Sequence, residues 1–187
     1  MSTQKVDIWV EMTPNPHTLK FNVSKPLVDS GTINFTDKGK AKGSPLAEGI
    51  FEIENVLGVM IGPGFVTVTK APAAEWQTLA ESLTNKIRSI LSAGENFVSK
   101  DAQATSHASG GNSDVERRIK EILDNEIRPA VAMDGGDITF YGFENGVVTL
   151  HLQGSCSSCP SSIMTLKMGV ENRLKSLIPE VKEVIQV

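Results

Sequence analysis

Gly154-Ser155-Cys156-Ser157-Ser158-Cys159-Pro160-Ser161-Ser162 holds both cysteines of the chain. An alternating run, Val147 to Gln153, precedes it, and an apolar stripe at helical spacing (Ile163, Leu166, Val170, Leu174, Leu177) follows it. The stretch therefore reads as the loop between a strand and a helix. Two thiols three positions apart can chelate one metal or close one short disulfide. They cannot fill a tetrahedral site, because structural zinc and the common iron–sulfur clusters take four protein ligands. The sequence offers no second Cys pair and no Cys/His cluster at ligand spacing. The stretch is half a site: either it works as a dithiol, or two copies of the chain complete it together.

Working outward, Ser113 and Glu116 have the spacing of a capping box, each able to satisfy a backbone donor beside the other. Val115, Ile119, Ile122, Leu123 and Ile127 then mark an amphipathic helix that Pro129 should end or kink. Met133-Asp134-Gly135-Gly136-Asp137 is a turn. Ile138–Phe143 and Val147–Gln153 read as a hairpin about Asn145-Gly146. Past the cysteines, Ser161 or Ser162 can cap the helix, Pro179 stops it, and Val181–Val187 alternates as a last strand. Residues 113–187 thus predict a compact α+β unit.

Residues 1–98 predict a second small unit. Residues 4–12 alternate, with Val6, Ile8 and Val10 facing inward as a half-buried first strand. Pro14 and Pro16 break it, and Leu19–Val23 and Thr32–Thr36 resume as strands. Ser44 and Pro45 open a short helix over 45–54. Val56–Ile61 and Phe65–Lys70 pair across Gly62-Pro63-Gly64. A long helix then carries Trp76, Leu79, Leu83, Ile87, Ile90 and Leu91 on one stripe, read as core, and Gly94 stops it. Between the units, residues 99–112 are small and polar, the composition of a flexible linker. The expected architecture is α+β: two small sandwich-like domains, 1–98 and 113–187, joined by that linker.

Composition narrows the function. A net charge of −4 gives no reason to expect nucleic acid or a membrane surface as partner. No apolar run approaches the roughly 18–20 residues of a membrane span. The N-terminus shows neither an apolar signal core nor an Arg-rich amphipathic pattern. A cytoplasmic protein is expected, or one of an organelle matrix if a presequence has been removed. No Walker-type phosphate loop, strand-borne GxGxxG or nucleophile elbow is present, so an enzyme reading lacks a site.

The cysteine loop keeps three readings open. A helix N-terminus presents free amides and a partial positive charge, which favour thiolate over thiol. In the first reading, Cys156 attacks and Cys159 resolves in a dithiol–disulfide oxidoreductase. Only 28 residues follow Cys159, too few for the rest of a thioredoxin sheet, and two hairpin strands precede the pair. In the second, two chains share a structural zinc. In the third, a two-fold axis brings four thiolates together around a [4Fe–4S] cluster at a seam near solvent.

With these residues in view, the chain resembles the NifU-like (Nfu-type) iron–sulfur cluster scaffolds. In the C-terminal unit the resemblance rests on Asp134-Gly135-Gly136-Asp137, Leu152-Gln153-Gly154, Cys156-x-x-Cys159-Pro160-Ser161-Ser162 and Ile178-Pro179-Glu180-Val181. In the N-terminal unit it rests on Thr13-Pro14-Asn15-Pro16-x-Thr18-Leu19-Lys20-Phe21, Ser44-Pro45-Leu46-Ala47 and Val66-Thr67-Val68-Thr69-Lys70. The resemblance implies a [4Fe–4S] cluster bridging two subunits through Cys156 and Cys159. It implies delivery to apo-protein clients, upstream cluster-assembly proteins as further partners, and no turnover chemistry.

Other candidates have plainer readings. Asp134-Gly135-Gly136-Asp137 suits a glycine turn better than a calcium or catalytic carboxylate site. His151 falls on the polar side of its strand, His107 falls in the linker, and Pro14 and Pro16 shape a loop.

Overall fold

The computed structural model describes residues 6–94, 97, 113–157 and 160–187, with residues 160–163 and 165 described by backbone alone. The chain divides into two compact units, Met1–Ser106 and His107–Val187. The linker and His107 lie outside the described residues.

Among its described residues, the first unit is a five-stranded antiparallel sheet with two helices. Its strands are β1 (Ile8–Met12), β2 (Thr18–Val23), β3 (Ile33–Phe35), β4 (Val56–Gly62) and β5 (Phe65–Lys70), in the order β1-β2-β5-β4-β3. Helices α1 (Pro45–Phe51) and α2 (Trp76–Ala93) supply the apolar partner surface. Phe21, Ile61, Val66 and Val68 from the sheet share one buried cluster with Leu46, Ile50, Leu83 and Ile87 from the helices. Each such side chain contributes about 1.5–3 kcal/mol on burial. As expected, α1 is capped by Ser44, whose side chain accepts from the Ala47 amide, with Pro45 in the first turn.

Two expectations need correction here. Val10 is 42% exposed, and Met12 is exposed beside it. The cluster reaches Ile8 at its margin and includes neither, so the apolar side of this edge strand extends beyond the packed interior. Trp76 is half-buried rather than core, and its indole N–H donates to the Pro16 carbonyl at 2.9 Å. That bond ties the proline loop to the start of α2.

The second unit opens on α3 (Asp114–Ile122), with the Ser113–Glu116 capping box formed in both directions. The helix does not end at Pro129. A π-helical turn (Leu123–Ile127) widens it, and α4 (Arg128–Met133) continues. The Arg128 amide bonds the Leu123 carbonyl five residues back. The donor that Pro129 lacks therefore falls in the first turn of α4, where a missing N–H is tolerated. Strands β6 (Gly136–Glu144) and β7 (Val147–Gly154) form the hairpin. Asn145 (φ 54) and Gly146 (φ 89) both take the left-handed conformation that a two-residue turn of this twist requires. After a 3-10 turn (Ser155–Ser157), α5 (Pro160–Leu177) crosses back, and β8 (Glu183–Gln186) pairs parallel to β7.

The sheet order β6-β7-β8 places Val148, Leu150 and Leu152 against Val170 and Leu174 of α5. The opposite side of β7 carries Thr149, His151 and Gln153, each half-buried. His151 Nδ1 lies 3.2 Å from the Gln153 amide nitrogen, so it is a strand-surface residue as read. The Arg173 guanidinium holds Glu126 at 2.7 Å, linking α5 to the π turn. Since α5 begins at Pro160, Ser161 and Ser162 lie inside its first turn rather than capping it.

Candidate metal centre

The cysteine loop is built where the two ends of the β6–β7 hairpin meet. Gly136 pairs with Gly154 in register. Gly135 (φ 74) and Gly154 (φ 64) are both left-handed, a conformation that costs other residues roughly 1–2 kcal/mol. Gly135 turns the chain out of α4 into β6, and Gly154 turns it out of β7 into the 3-10 turn.

Serines lock that turn. Ser155 Oγ donates to the Asp134 carbonyl at 2.5 Å, and the Ser155 amide donates to the Gly135 carbonyl at 3.2 Å. Ser157 Oγ donates to the Gly154 carbonyl at 2.8 Å. The Asp-Gly-Gly-Asp turn and the cysteine loop, about 20 positions apart in sequence, are thus one hydrogen-bonded unit.

Within it, Cys156 is 5% exposed and part of the apolar cluster of the second unit. Its sulfur lies 3.8 Å from Ser155 Oγ. A Cβ built on Gly136 would sit 2.4 Å from Cys156 Sγ, a distance no real side chain tolerates. Cys159, the other ligand candidate, lies outside the described residues. Pro160 opens α5, so Cys156 lies between the end of a strand and the N-terminus of a helix.

A buried ion pair braces the cradle from behind. Asp137 follows Gly136 and is buried. Arg128 Nε reaches Asp137 Oδ1 at 3.0 Å, and the same guanidinium donates to the Ile138 carbonyl at 2.9 Å. Its other nitrogen meets Asp124 at 2.6 Å across the π turn. The Ile138 amide donates to Asp137 Oδ1 at 2.7 Å. The glycine-turn reading of Asp134–Asp137 therefore holds for Gly135. Sequence reasoning missed Asp137 as an anchor, Ser155 as a lock and Gly136 as the wall behind the sulfur. The doubled glycine beside a strand was the available signal.

Farther along, Glu171 Oε1 meets Lys175 at 2.6 Å and Glu171 Oε2 accepts the Val184 amide at 3.0 Å. The Lys175 bond first, then that amide, hold the Glu171 carboxyl below the usual glutamate range. Met133, Met164 and Met168, on the elements flanking the loop, are all more than half exposed. Among the described residues, no group of three or more His, Cys, Asp or Glu side chains gathers as a metal site. The donor chemistry at hand is thiolate, which suits iron, zinc and iron–sulfur clusters. The three-stranded β6-β7-β8 sheet differs from the alternating strand–helix frame of a thioredoxin.

Comparison with known proteins covers nearly the whole chain. Residues 8–94 match the family described as scaffold protein Nfu/NifU N terminal, and residues 119–185 match the NifU-like domain. A human protein named NFU1 iron-sulfur cluster scaffold homolog, mitochondrial, is 44% identical over 96% of this chain and 71% of its own length. An Arabidopsis thaliana protein named NifU-like protein 4, mitochondrial, is 42% identical over 96% of this chain. The chain spans 65% of that protein, slightly under two thirds. A solution NMR structure of a NifU-like protein from Saccharomyces cerevisiae is 30% identical, with a TM-score of 0.47. It covers 54% of this chain and 91% of that one.

Proposed function

The chain belongs to the Nfu/NifU family of iron–sulfur cluster scaffolds, and from that premise we propose that it carries a [4Fe–4S] cluster between two copies of itself and passes it to apo-proteins. Cys156 and Cys159 of each copy supply the four thiolates such a cluster takes. The supporting observation is the construction of the Cys156 loop: a serine-locked, glycine-walled turn that sets a thiol at a strand-to-helix junction. The partial positive charge of a helix N-terminus suits thiolates bound to iron. Serines and glycines keep the loop slender, which lets a second copy approach. The exposed methionines beside it offer an adaptable surface to partners of different shape.

In this reading the cluster is cargo, and the protein needs no turnover chemistry. A cluster held at a seam between two chains can be released by stepwise exchange of each thiolate for one from a recipient. Clients are apo iron–sulfur proteins, and the donor is an upstream assembly protein. The relatives bear mitochondrial names, and a reducing matrix suits a dithiol metal ligand. No helix among the described residues is long and apolar enough to cross a membrane. The alternative, a dithiol oxidoreductase, predicts disulfide reduction by the chain without a cluster, and the β6-β7-β8 sheet is not the alternating strand–helix frame of a thioredoxin.

The test is replacement of each cysteine by serine, singly, in the full chain. Anaerobic loading with iron and sulfide should then leave no cluster after desalting, while both units remain folded. Retention of a full cluster by either variant would refute the ligand assignment.

A further inference from the structure

We infer that Gly136 controls access to Cys156: the sulfur packs inward against this glycine, and it must turn out before it can bond iron. The inference deepens the carrier reading and rests on it for its purpose. Its physical content, a thiol stored inward, stands by itself.

The adjacent glycines Gly135 and Gly136 are needed for different reasons. Gly135 has a φ of 74, so its backbone demands glycine. Gly136 is not among the left-handed residues, so its backbone would accept any side chain. What forbids one is space. A Cβ there would lie 2.4 Å from Cys156 Sγ, and 3.1 Å from both Cys156 Cβ and the Gln153 carbonyl oxygen, so the sulfur is the contact that must move and the other two need give only slightly. The hydrogen atom of Gly136 is the floor of the pocket that holds the sulfur.

The same sulfur must reach iron shared with another molecule. At 5% exposure Cys156 does not present it. The backbone around it is pinned by the Ser155 and Ser157 hydrogen bonds, so the economical motion is rotation of the Cys156 side chain about its own Cα–Cβ bond. The loop then has two states, parked and presented. Only the presented state binds, and the apparent affinity for cluster falls by the presented fraction. Ligation forms one iron–sulfur bond per thiolate and releases its proton to solvent, with no oxidant or reductant. Parking thus keeps cluster retention weaker than four thiolates alone would give, a useful property in a carrier. Filling the space at Gly136 pushes the balance outward.

Alkylation of the metal-free full chain, with Cys159→Ser so that a single thiol reports, tests this. Iodoacetamide should label Cys156 at least about tenfold more slowly than in the unfolded chain at the same pH, as sequestered thiols do. The rate should be nearly independent of urea below the unfolding transition, because side-chain rotation exposes little new surface. Adding Gly136→Ala should speed labelling by about tenfold, with β6–β7 amides still protected from exchange. Labelling of the parent within about threefold of the unfolded chain would overturn the inference, as would a folded Gly136→Ala variant that labels no faster. If Gly136→Ala does not fold, a steep rise of parent labelling with urea overturns it instead. No metal is used, so a failure here is separable from a failure to load cluster.

Discussion

Replacing Arg128 with alanine probes the brace behind the cysteine loop. Asp137 is 5% exposed at its side chain and Arg128 is 30% exposed, with 3.0 Å between them. Removing one partner of a buried pair costs about 3–5 kcal/mol, because the other charge stays buried without its counter-ion. Here Asp137 keeps the Ile138 amide at 2.7 Å, and Arg128 is partly solvated. The loss therefore falls at or just below the bottom of that range, about 2–3 kcal/mol. The variant also loses the guanidinium bonds to the Ile138 carbonyl. For a unit of this size, each kcal/mol moves the midpoint by about 4–8 °C, so the second unit should melt roughly 10–20 °C lower. Calorimetry of the full chain resolves it, with the first unit as internal reference. Adding Asp137→Asn to Arg128→Ala removes the stranded charge and should recover at least half of the loss. A midpoint shift below about 3 °C, or a double variant no better than the single one, would refute the electrostatic reasoning.

Gly146→Ala places a side chain on a residue with φ 89, where the new Cβ would meet the Lys182 side chain at 2.8 Å. The second unit should lose about 1–2 kcal/mol, read as a lower urea midpoint with unchanged slope. Glu171 gives a pH prediction. Its folded pKa lies below the ordinary value, so its contribution is present above that ordinary value and is lost as pH falls through the folded one. Stability of the second unit should decline as pH drops below the usual glutamate range. Glu171→Gln should flatten that part of the decline, and an unchanged acid limb would contradict the assignment.

Much of the fold was legible because local chemistry and tertiary packing agree. The Ser113 box, the Ser44-Pro45 start and the Asn145-Gly146 turn are local signals whose geometry the structure shows directly. Alternation in β7 came out residue by residue. The misses lie where a neighbour distant in sequence decides. Whether alternating apolar residues are buried depends on what covers the strand, and Val10 stays 42% exposed. Pro129 is a breaker on local grounds, and only the π turn before it absorbs the missing donor. At the site, the cysteine pair was legible as half a ligand set. The inward packing of Cys156 was not, because its wall is a glycine twenty positions upstream. The Gly135-Gly136 pair marks a tight turn locally, but nothing local says which side chain packs against it. The Arg128–Asp137 pair was hidden likewise, since it forms between a helix and a strand.

In the proposed carrier, each chain provides two thiolates and a second chain provides the others. The direct measurement is anaerobic loading of the full chain with iron and sulfide, followed by native mass spectrometry with iron and sulfide counts on the same sample. The account predicts a dimer carrying about four irons and four sulfides, reverting to apo-chain mass when a chelator strips the metal. A single chain holding a complete cluster, or a dimer holding zinc without sulfide, would contradict it.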